Sequence, residues 1–487
     1  MSFISEKIRT IFPELSILKN EETERVFSGN NLPSFIQDYI IKRFSDKEGN
    51  IDKDAINKYL NTKMCINEGE IRRKLMDNQP VNLTCRFSVA SNLKDGRTWF
   101  SIAETNLGAD AFILPSVIEA HKDDLADGEN WGNITLEYVE PQGQRRGFVN
   151  MTSYRPFKPY TIDYTYFLNA RGEFTTEEWI DLLIAAMGYD PSSFGDSCVP
   201  ETFCTKLEFI SRLLIFVEPR LNMIEVGPKG TGKSFVYSNL SKYVWLLGSG
   251  STTRAHMFYN RVTKQFGYLK SHDAVLIDEI STFEFGSSDK ELQSMLKCYL
   301  ESGRASVDGI TFRSECGLGL VGNINLSKEL KPTGNDYYKT LSKMFRDSAT
   351  LDRFHAFLEG WKLPRLGMSN ILRGWTLNSE YFSEVLHFLR KENVYESIFN
   401  RLVKTEEDNP DIRDVKAVRL VATAYTKLLF PHVSDIDRLS AEDLEQFKKM
   451  YKLYCLDPAV EKRSIIRTQC HLLDKEYTSQ MPTFIIE

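Results

Sequence analysis

A glycine-rich loop between a predicted strand and a predicted helix carries the residues with the clearest chemistry. Residues 221–235 read LNMIEVGPKGTGKSF, and residues 227–234 complete the pattern G-x-x-x-x-G-K-[ST]. Glycines without a β-carbon let the backbone curl round a polyphosphate and point N–H groups inward. The alternative is an ordinary strand-turn-helix that matches by chance. The predicted nucleotide-binding residues are Gly227, Pro228, Lys229, Gly230, Thr231, Gly232, Lys233 and Ser234.

Two acids at the end of a second apolar run are the expected partners of this loop. Lys233 is expected to meet the β- and γ-phosphates of ATP, and Ser234 to hold Mg²⁺. The run AVLIDE ends in Asp278 and Glu279. Asp278 would complete the Mg²⁺ shell, while Glu279 would orient and polarise the water that attacks the γ-phosphate. Taken alone, such a run is also typical of a strand that simply leaves the core.

Three further side chains are candidate parts of a hydrolytic site. Asn323 ends the run GLGLVGN and could hydrogen-bond the attacking water, or be a turn-forming residue only. Arg353, in LDRF, is a candidate arginine finger that would act on a neighbouring subunit, or a structural arginine paired with Asp352. Arg413 lies in the first turn of a predicted helix, where the helix dipole disfavours a cation. It is therefore expected to face a ligand, with a helix-surface ion pair as the alternative.

The elements that must position these residues alternate between apolar runs and helical stretches from residue 221 onward. That alternation predicts a parallel sheet covered by helices, in which ligands bind at the carboxyl ends of the strands. The expected strands cover residues 223–226, 244–247, 274–277, 319–322 and 354–358. We expect an α/β ATPase core over residues 219–365, a helical lid over 366–435 and a helical C-terminal tail over 436–487.

The first part of the chain has a different pattern. Residues 1–78 are predicted to be a helical module, because apolar residues in 32–44 keep near-helical spacing. Residues 79–172 contain short alternating runs separated by turn signals, which predict a small β-domain, with an OB-like barrel as the first choice. Residues 173–218 are expected to be connecting helices, the first of them opened by a capping box.

An acid-free stretch in the predicted β-domain is a candidate nucleic-acid surface. Residues 141–162 interleave basic side chains with aromatic ones. Basic groups contact phosphates and aromatic faces stack on bases, although a solvated hairpin edge is the equal alternative. The basic candidates are Arg145, Arg146, Arg155 and Lys158, and the aromatic ones are Phe148, Tyr154, Phe157 and Tyr160.

Length and composition limit the class of protein. A chain of 487 residues suggests about three folding units. Neither a long apolar stretch nor an N-terminal signal pattern occurs, so we expect a cytoplasmic protein without a membrane segment. The eight cysteines lack a C-x-x-C pair, which argues against a disulfide framework or a zinc knuckle. The net charge of −6 argues weakly against a surface coated with nucleic acid, but a ring can keep basic residues inside.

Taken together, these marks resemble an AAA+ ATPase, and the closer match is to BrxL, the Lon-like AAA+ family of BREX phage-defence systems. The resemblance lies in NMIEVGPKGTGKSFVYSNLS, LGLVGNINLS, DRFHAFLEGW, RDVKAV followed by KLLFPH, and upstream in TLEYV and FTTEEWIDLL. It extends over about residues 30–475. Longer members carry a Lon-type protease-like domain after the lid, and we expect this chain to be a short form without protease activity.

The resemblance implies an N-terminal DNA-binding region and a core similar to that of the MCM helicases. It implies hexameric rings, possibly double rings, on double-stranded DNA together with other BREX components. By this resemblance Arg353 is the finger in trans and Arg413 the lid sensor. The segment 301–315 lies where MCM-like ATPases insert pore hairpins, which makes Arg304 and Arg313 candidate DNA contacts.

We therefore expect a ring-forming ATPase that couples the binding or hydrolysis of ATP to defence against phage DNA. One alternative is a motor that threads polypeptide, although the segment 303–314 offers arginines and a single aromatic, Phe312. Another is a nucleotide-gated scaffold with little turnover. Replacing Glu279 by Gln separates these functions, because a motor would lose function while a scaffold that needs only bound ATP would keep it.

Overall fold

The fold is taken from a computed structural model of the chain. It describes residues 3–487 except 29–31, 65–66, 93–96, 103–104, 106–110, 122–124, 126–127, 142–145, 161, 196–199, 249, 261–264, 284–288 and 308.

Short, well-capped helices form the N-terminal segment. They are α1 (Phe3–Ile11), α2 (Glu21–Val26), α3 (Ser34–Arg43), α4 (Lys53–Tyr59) and α5 (Glu68–Met76), with strand β1 (Ser16–Lys19) after α1. Asn20, Asp52 and Asn67 cap α2, α4 and α5, because their side-chain oxygens accept free backbone N–H groups of the first turn. Phe35 and Ile36 are buried on α3, so the helix predicted within 32–44 is confirmed.

A closed five-stranded barrel follows. Its elements are β2 (Val81–Asn92), β3 (Arg97–Ile102), β4 (Ala111–Ile113), helix α6 (Pro115–Ala120), β5 (Gly128–Val139) and β6 (Phe148–Pro156). The strand order is β2-β3-β4-β6-β5, and β4 runs parallel to β6. Alternate residues of β2, among them Leu83, Phe87 and Val89, are buried inside. The predicted alternation therefore reflects an inner and an outer barrel face.

Four helices connect the barrel to the phosphate loop. They are α7 (Tyr164–Arg171), α8 (Thr176–Ala186), α9 (Pro200–Ile210) and α10 (Leu214–Val217), and α8 and α10 among them are largely buried. A capping box of Thr175 and Glu178 opens α8. Trp179 on α8 is fully buried and its indole N–H donates to the Leu428 carbonyl at 2.8 Å. These helices thus form core packing as well as a connection.

A five-stranded parallel sheet carries the predicted phosphate loop. Its strands are β7 (Met223–Gly227), β8 (Val244–Leu247), β11 (Ala274–Ile277), β14 (Gly317–Asn323) and β15 (Ala356–Glu359), in the order β15-β7-β14-β11-β8. The strands predicted from the apolar runs are confirmed. Elements between them are α11 (Lys233–Asn239), α12 (Arg254–Met257), β9 (Tyr259–Asn260), β10 (Gln265–Phe266), α13 (Tyr268–Ser271), α14 (Asp289–Ser302), β12 (Arg304–Val307), β13 (Ile310–Arg313) and α15 (Ser348–Leu351).

The C-terminal elements bind back onto earlier parts of the chain. They are β16 (Gly374–Leu377), α16 (Ser379–Lys391), α17 (Val394–Leu402), β17 (Val403–Thr405), α18 (Ile412–Leu429), α19 (Ala441–Tyr451), α20 (Asp457–Leu473) and β18 (Phe484–Ile486). β16 pairs with β1, and β18 pairs with β17. α20 packs against both β15 and α18. The segments expected as lid and tail are therefore joined to the sheet and to the N-terminal segment.

A hydrogen-bonded staple joins three strands at the amino edge of the sheet. The backbone N–H of Asn222 donates to Nδ1 of His355 at 2.9 Å, and the N–H of His355 donates to the Asn222 carbonyl at 2.8 Å. Oδ1 of Asn222 accepts the Leu318 N–H at 3.0 Å. His355 is buried, and burial together with nearby cations lowers its pKa well below the ordinary value. The imidazole must therefore be neutral to accept this bond.

We predict that acid destabilises the fold partly through His355. In the unfolded chain its pKa is about 6.5, so only the unfolded state takes up the proton as the pH falls below that value. The contribution is complete above pH ~6.5 and is lost below it, at no more than about 1.4 kcal/mol per pH unit. Urea unfolding at several pH values between 7.5 and 5 should show a flatter pH dependence for His355→Gln than for the parent. Equal slopes would contradict the neutral-histidine account.

Candidate nucleotide site

The phosphate loop connects β7 to α11 at the carboxyl edge of the sheet. Gly230 and Gly232 have φ values of +84° and +78°, which favour glycine. A β-carbon at Gly232 would lie 2.7 Å from Oη of Tyr189, and one at Gly227 would lie 2.7 Å from Cα of Gly360. Gly230 and Gly232 thus permit the backbone turn of the loop. Gly227 and Gly232 also leave room for the neighbouring segments.

Lys233 lies inside the loop rather than in solvent. Its Nζ donates to the carbonyls of Gly227 at 3.1 Å and Pro228 at 2.8 Å. Burial lowers its pKa from the ordinary value. An ammonium group that donates to neutral carbonyls can exchange them for anionic oxygens. The cradle and its lysine therefore fit a polyphosphate.

Ser234 and Asp278 face each other at the mouth of the loop. The hydroxyl of Ser234 donates to Oδ2 of Asp278 at 2.6 Å. β11 places Asp278 at this edge, where its N–H donates to the Leu247 carbonyl of the adjacent strand at 2.8 Å. A hydroxyl and a carboxylate are hard oxygen ligands of the kind that Mg²⁺ takes together with waters. The pair therefore fits a Mg²⁺ ion, which would bind beside the loop.

Glu279 and Asn323 complete the carboxyl edge. Glu279 is exposed, has a φ of +49°, and its N–H donates to Oδ1 of Asp278 at 2.8 Å. This uncommon left-handed backbone turns the chain sharply at the strand end. Asn323 pairs in register with Gly227, because β14 lies beside β7. The structure thus brings the loop, both acids and the amide to one edge.

A buried ion pair lies beneath the loop, and it was not predicted from the sequence. Arg212 and Glu225 are both fully buried, with 2.6 Å between Nη2 and Oε1. Arg212 also donates to the Thr231 carbonyl at 2.8 Å, and Tyr237 donates to Oε2 of Glu225 at 2.8 Å. The pair therefore fixes the loop from below. A charged residue inside the apolar strand β7 is the one sequence signal that could have indicated it.

Arg353 and Arg413 lie together at the opposite, amino edge of the sheet. Both reach Oε2 of Glu301, Arg353 through Nε at 3.0 Å and Arg413 through Nη2 at 3.4 Å. Arg413 also binds Asp352 at 2.8 Å, whereas Arg353 pairs with Glu301 and not with Asp352. Arg413 therefore does form ion pairs, as the alternative to a ligand predicted. Its partners come from other segments and not from its own helix. Neither arginine accompanies the phosphate loop of its own chain.

Arg463 of α20 holds this second cluster in place and was also missed from the sequence. It is fully buried and binds Asp352 at 2.5 Å and Asp414 at 2.7 Å. It also donates to the carbonyls of Asp352 and Phe354. Asp352 and Asp414 are the chain neighbours of Arg353 and Arg413. The backbone segments that carry these two arginines are therefore both bound to α20.

The proposed base-stacking surface in the barrel is wrong in one respect. Tyr154 and Phe157 are 3% and 4% exposed, so they cannot stack on nucleic-acid bases. Tyr154 packs inside the barrel against Phe87, and Phe157 packs against Phe35 of α3. Tyr154 is buried because it lies on the inner face of its barrel strand. Phe157 is buried because helix α3 packs over it.

The basic candidates differ in their surroundings. Arg146, Arg155 and Lys158 are exposed, while Arg145 lies outside the described residues. Arg304 and Arg313 stand directly opposite each other in the hairpin β12–β13, and both are exposed. Like charges in directly opposed positions repel each other. Nε of Arg313 lies 3.2 Å from Oε1 of Glu315, and this ion pair offsets part of the repulsion. An anionic partner would offset the remainder.

Comparison with known families agrees with this geometry. A family model described as "Lon-like protease BrxL-like, ATPase domain" matches residues 149–483. The chain belongs to the BrxL family. A second model, "BREX system Lon protease-like protein BrxL N-terminal", matches residues 10–138. The N-terminal match ends within β5 of the barrel and the ATPase-domain match begins within β6.

Two curated BrxL relatives extend the match. A protein named "Lon-like protease BrxL" from Escherichia coli O9:H4 (strain HS) is 27% identical over 460 residues, 93% of this chain. One of the same name from Bacillus cereus (strain H3081.97) is 26% identical over 438 residues, 88% of this chain. The chain spans 62% of the length of each relative. Among the helices of the described chain, none has the length and apolar character needed to cross a bilayer.

We predict that Arg212→Met costs about 3–5 kcal/mol of unfolding free energy, because it leaves Glu225 charged and unpaired in the core. Arg212→Met combined with Glu225→Met should recover part of this loss, since only the Thr231 carbonyl and Tyr237 hydroxyl then lack partners. Urea denaturation of the full chain measures both. A double variant no more stable than the single one would show that the burial of an unpaired charge is not the cause.

Proposed function

We propose that this BrxL chain is a Mg²⁺-dependent AAA+ ATPase. The observation that carries the proposal is the 2.6 Å contact between Ser234 and Asp278 at the mouth of a glycine cradle. Lys233 would neutralise the β- and γ-phosphates, and Ser234 and Asp278 would hold the metal. Glu279 would orient the attacking water, with Asn323 on the adjacent strand as a second hydrogen-bond partner. Bound Mg²⁺ would supply charge stabilisation at the phosphates.

We infer that the site is completed by a neighbouring copy of the chain. β7 has five residues, and a rise of about 3.3 Å each separates the two edges of the sheet by roughly 16 Å. Arg353 and Arg413 at the amino edge are therefore far from the phosphate loop of their own subunit. They could contact the phosphate loop of a neighbouring subunit. Contacts between unlike surfaces form a closed ring where the rotation between neighbouring subunits closes. A hexamer, possibly stacked as a double ring, is the assembly that we expect.

We propose double-stranded DNA as the partner inside the ring. The barrel, with a helix between its third and fourth strands, is consistent with an OB-like nucleic-acid-binding domain. Arg146, Arg155 and Lys158 would contact phosphates without base stacking. The opposed pair Arg304 and Arg313 gives the hairpin β12–β13 the same capacity, and makes it the proposed pore element.

The polypeptide-threading alternative has weaker support. A hairpin that grips polypeptide would present an aromatic side chain, but Phe312 is 7% exposed and packs against Phe258 and Phe266. Ile310 is the large apolar side chain that this hairpin exposes among its described residues. Arginines on the exposed face therefore favour an anionic substrate.

A role within BREX defence is supported by the description of the family model that matches residues 10–138, which names the BREX system. We propose that the ring acts on phage DNA in the cytoplasm together with other BREX components. The scaffold alternative, in which bound ATP is enough, is separated from this motor by Glu279→Gln, which should bind ATP yet fail to support defence.

We predict that two inactive variants regain ATPase activity when their subunits are mixed. Lys233→Ala disables the phosphate loop and Arg353→Ala disables the finger, so each should lose most hydrolysis. After mixed reassembly, an intact loop can meet an intact finger across an interface. At equal amounts about a quarter of the sites should be restored, because each site needs one subunit of each kind in order. Phosphate release measures the recovery.

The matched control mixes Lys233→Ala with Glu279→Gln. Both changes lie at the carboxyl edge, so no subunit then offers both an intact phosphate loop and Glu279, and activity should stay at background. Recovery in this control, or its absence in the first mixture, would contradict an active site shared between subunits.

We predict that replacing Arg304 and Arg313 by Ala weakens binding to duplexes of any sequence. Loss of two phosphate contacts should reduce the slope of log affinity against log salt concentration by about 1.8. Fluorescence anisotropy with a labelled duplex measures this slope in several salt concentrations. The control is Arg438→Ala, which changes an 84% exposed arginine outside the hairpin. An unchanged slope in the double variant would exclude the hairpin from the DNA contact.

A further inference from the structure

Glu301 contacts four cationic side chains at the amino edge of the sheet, two through its carboxylate and two through its main-chain carbonyl. Oε2 of its carboxylate faces Nε of Arg353 and Nη2 of Arg413. Its main-chain carbonyl accepts Nη2 of Arg220 at 2.8 Å and Nζ of Lys416 at 3.2 Å. The backbone of Glu301 is thus fixed by two cations, while its side chain is shared by two others.

This cluster has an excess of positive charge. The second acid in contact with it, Asp352, is 1% exposed and is also bound to Arg463. Burial lowers the pKa of Lys416, and the nearby Arg220 lowers it further. A cavity of about 680 Å³ opens beside the cluster, and its lining holds more basic than acidic side chains. The basic ones are Arg220, Arg313, Arg390, Lys391, Lys416 and Arg419, and the acidic ones are Glu218, Asp273, Glu315 and Glu396. An anion that approaches from this side would therefore be attracted.

The contact between Glu301 and Arg353 is suited to being exchanged. The side chain of Glu301 is 42% exposed and that of Arg353 is 18% exposed, so the carboxylate lies on the solvent side. The buried Nε of Arg353 has no partner in hydrogen-bond geometry among the described residues, although it lies 3.0 Å from Oε2. Arg353 also donates to the Ala349 carbonyl. The guanidinium is thus held, but loosely.

We propose that Glu301 is a latch that withdraws the finger Arg353, and with it Arg413, until a neighbour's triphosphate competes for them. The inference rests on the proposed function, because it requires Arg353 to act between subunits. Oxygens of a triphosphate carry more charge than one carboxylate and take over a charge-assisted contact with arginine. A competing carboxylate therefore lowers the rate of ATP hydrolysis at the neighbouring site when the two subunits are only loosely docked.

The test replaces Glu301 by Gln, which keeps the size and an acceptor oxygen but removes the charge. Partly exposed ion pairs are weak, so steady-state ATP hydrolysis should rise by about twofold to fivefold rather than fall. Glu301→Asp, which keeps the charge, should stay nearer the parental rate. The matched control is Glu291→Gln in the same helix, which breaks an exposed pair with Arg254 and should not raise the rate.

The variants also separate the latch from the proposed active site. In an Arg353→Ala background, Glu301→Gln should have no effect on the rate, because the latch acts through that arginine. If Arg353→Ala alone keeps the parental rate, the proposed shared site fails. If Arg353→Ala lowers the rate but Glu301→Gln leaves it unchanged or lowers it, with an unaltered unfolding midpoint, only the latch is overturned. Glu301→Ser serves as a second uncharged variant with the same expected rise.

Discussion

Parallel pairing of β7 with both β14 and β15 is the constraint on which the rest of the structure depends. Because neighbouring strands run in one direction, all their carboxyl ends lie on one edge and all their amino ends on the other. Gly227 and Asn323 therefore share the first edge with Asp278, while Arg353 is carried to the second. One subunit thus separates a phosphate-binding edge from an arginine edge. The separation is what makes a neighbouring subunit necessary in our account.

Buried ion pairs hold each of these edges. Arg212 and Glu225 support the phosphate loop, and Arg463 supports the segment that carries Arg353. Such pairs contribute little net stability compared with apolar packing, but losing one partner is costly. Their role here is positional. They fix the direction in which the loop and the arginines point, and Glu301 at the arginine edge remains partly exposed.

The parts that sequence reasoning predicted are those encoded locally. The phosphate loop, the strand that ends in Asp278 and the alternation of β2 depend on neighbours within a few residues, and the structure has these elements in the expected places. Arg212 and Arg463 were missed because their partners lie far along the chain, 13 residues away for Glu225 and 111 for Asp352. No periodicity records such contacts.

Two predictions show where local patterns mislead. Phe157 follows a basic barrel strand and looked exposed, but packing of α3 against the barrel buries it. Arg413 in the first turn of α18 was expected to face a ligand, on a dipole argument that considers only its own helix. Asp352 and Glu301 from other segments supply compensating charge, so the dipole alone no longer requires a ligand there. The proposed role of Arg413 rests instead on its place at the amino edge, beside Arg353. A single sequence does not specify such tertiary partners.

The most direct measurement is an electron cryo-microscopy structure of the Glu279→Gln protein with ATP, Mg²⁺ and duplex DNA. Our account predicts a closed ring in which Arg353 of each subunit contacts the triphosphate held by the phosphate loop of the next, with DNA in the channel. Nucleotide-bound subunits in which Arg353 remains on Glu301 and no neighbour approaches the phosphates would contradict it.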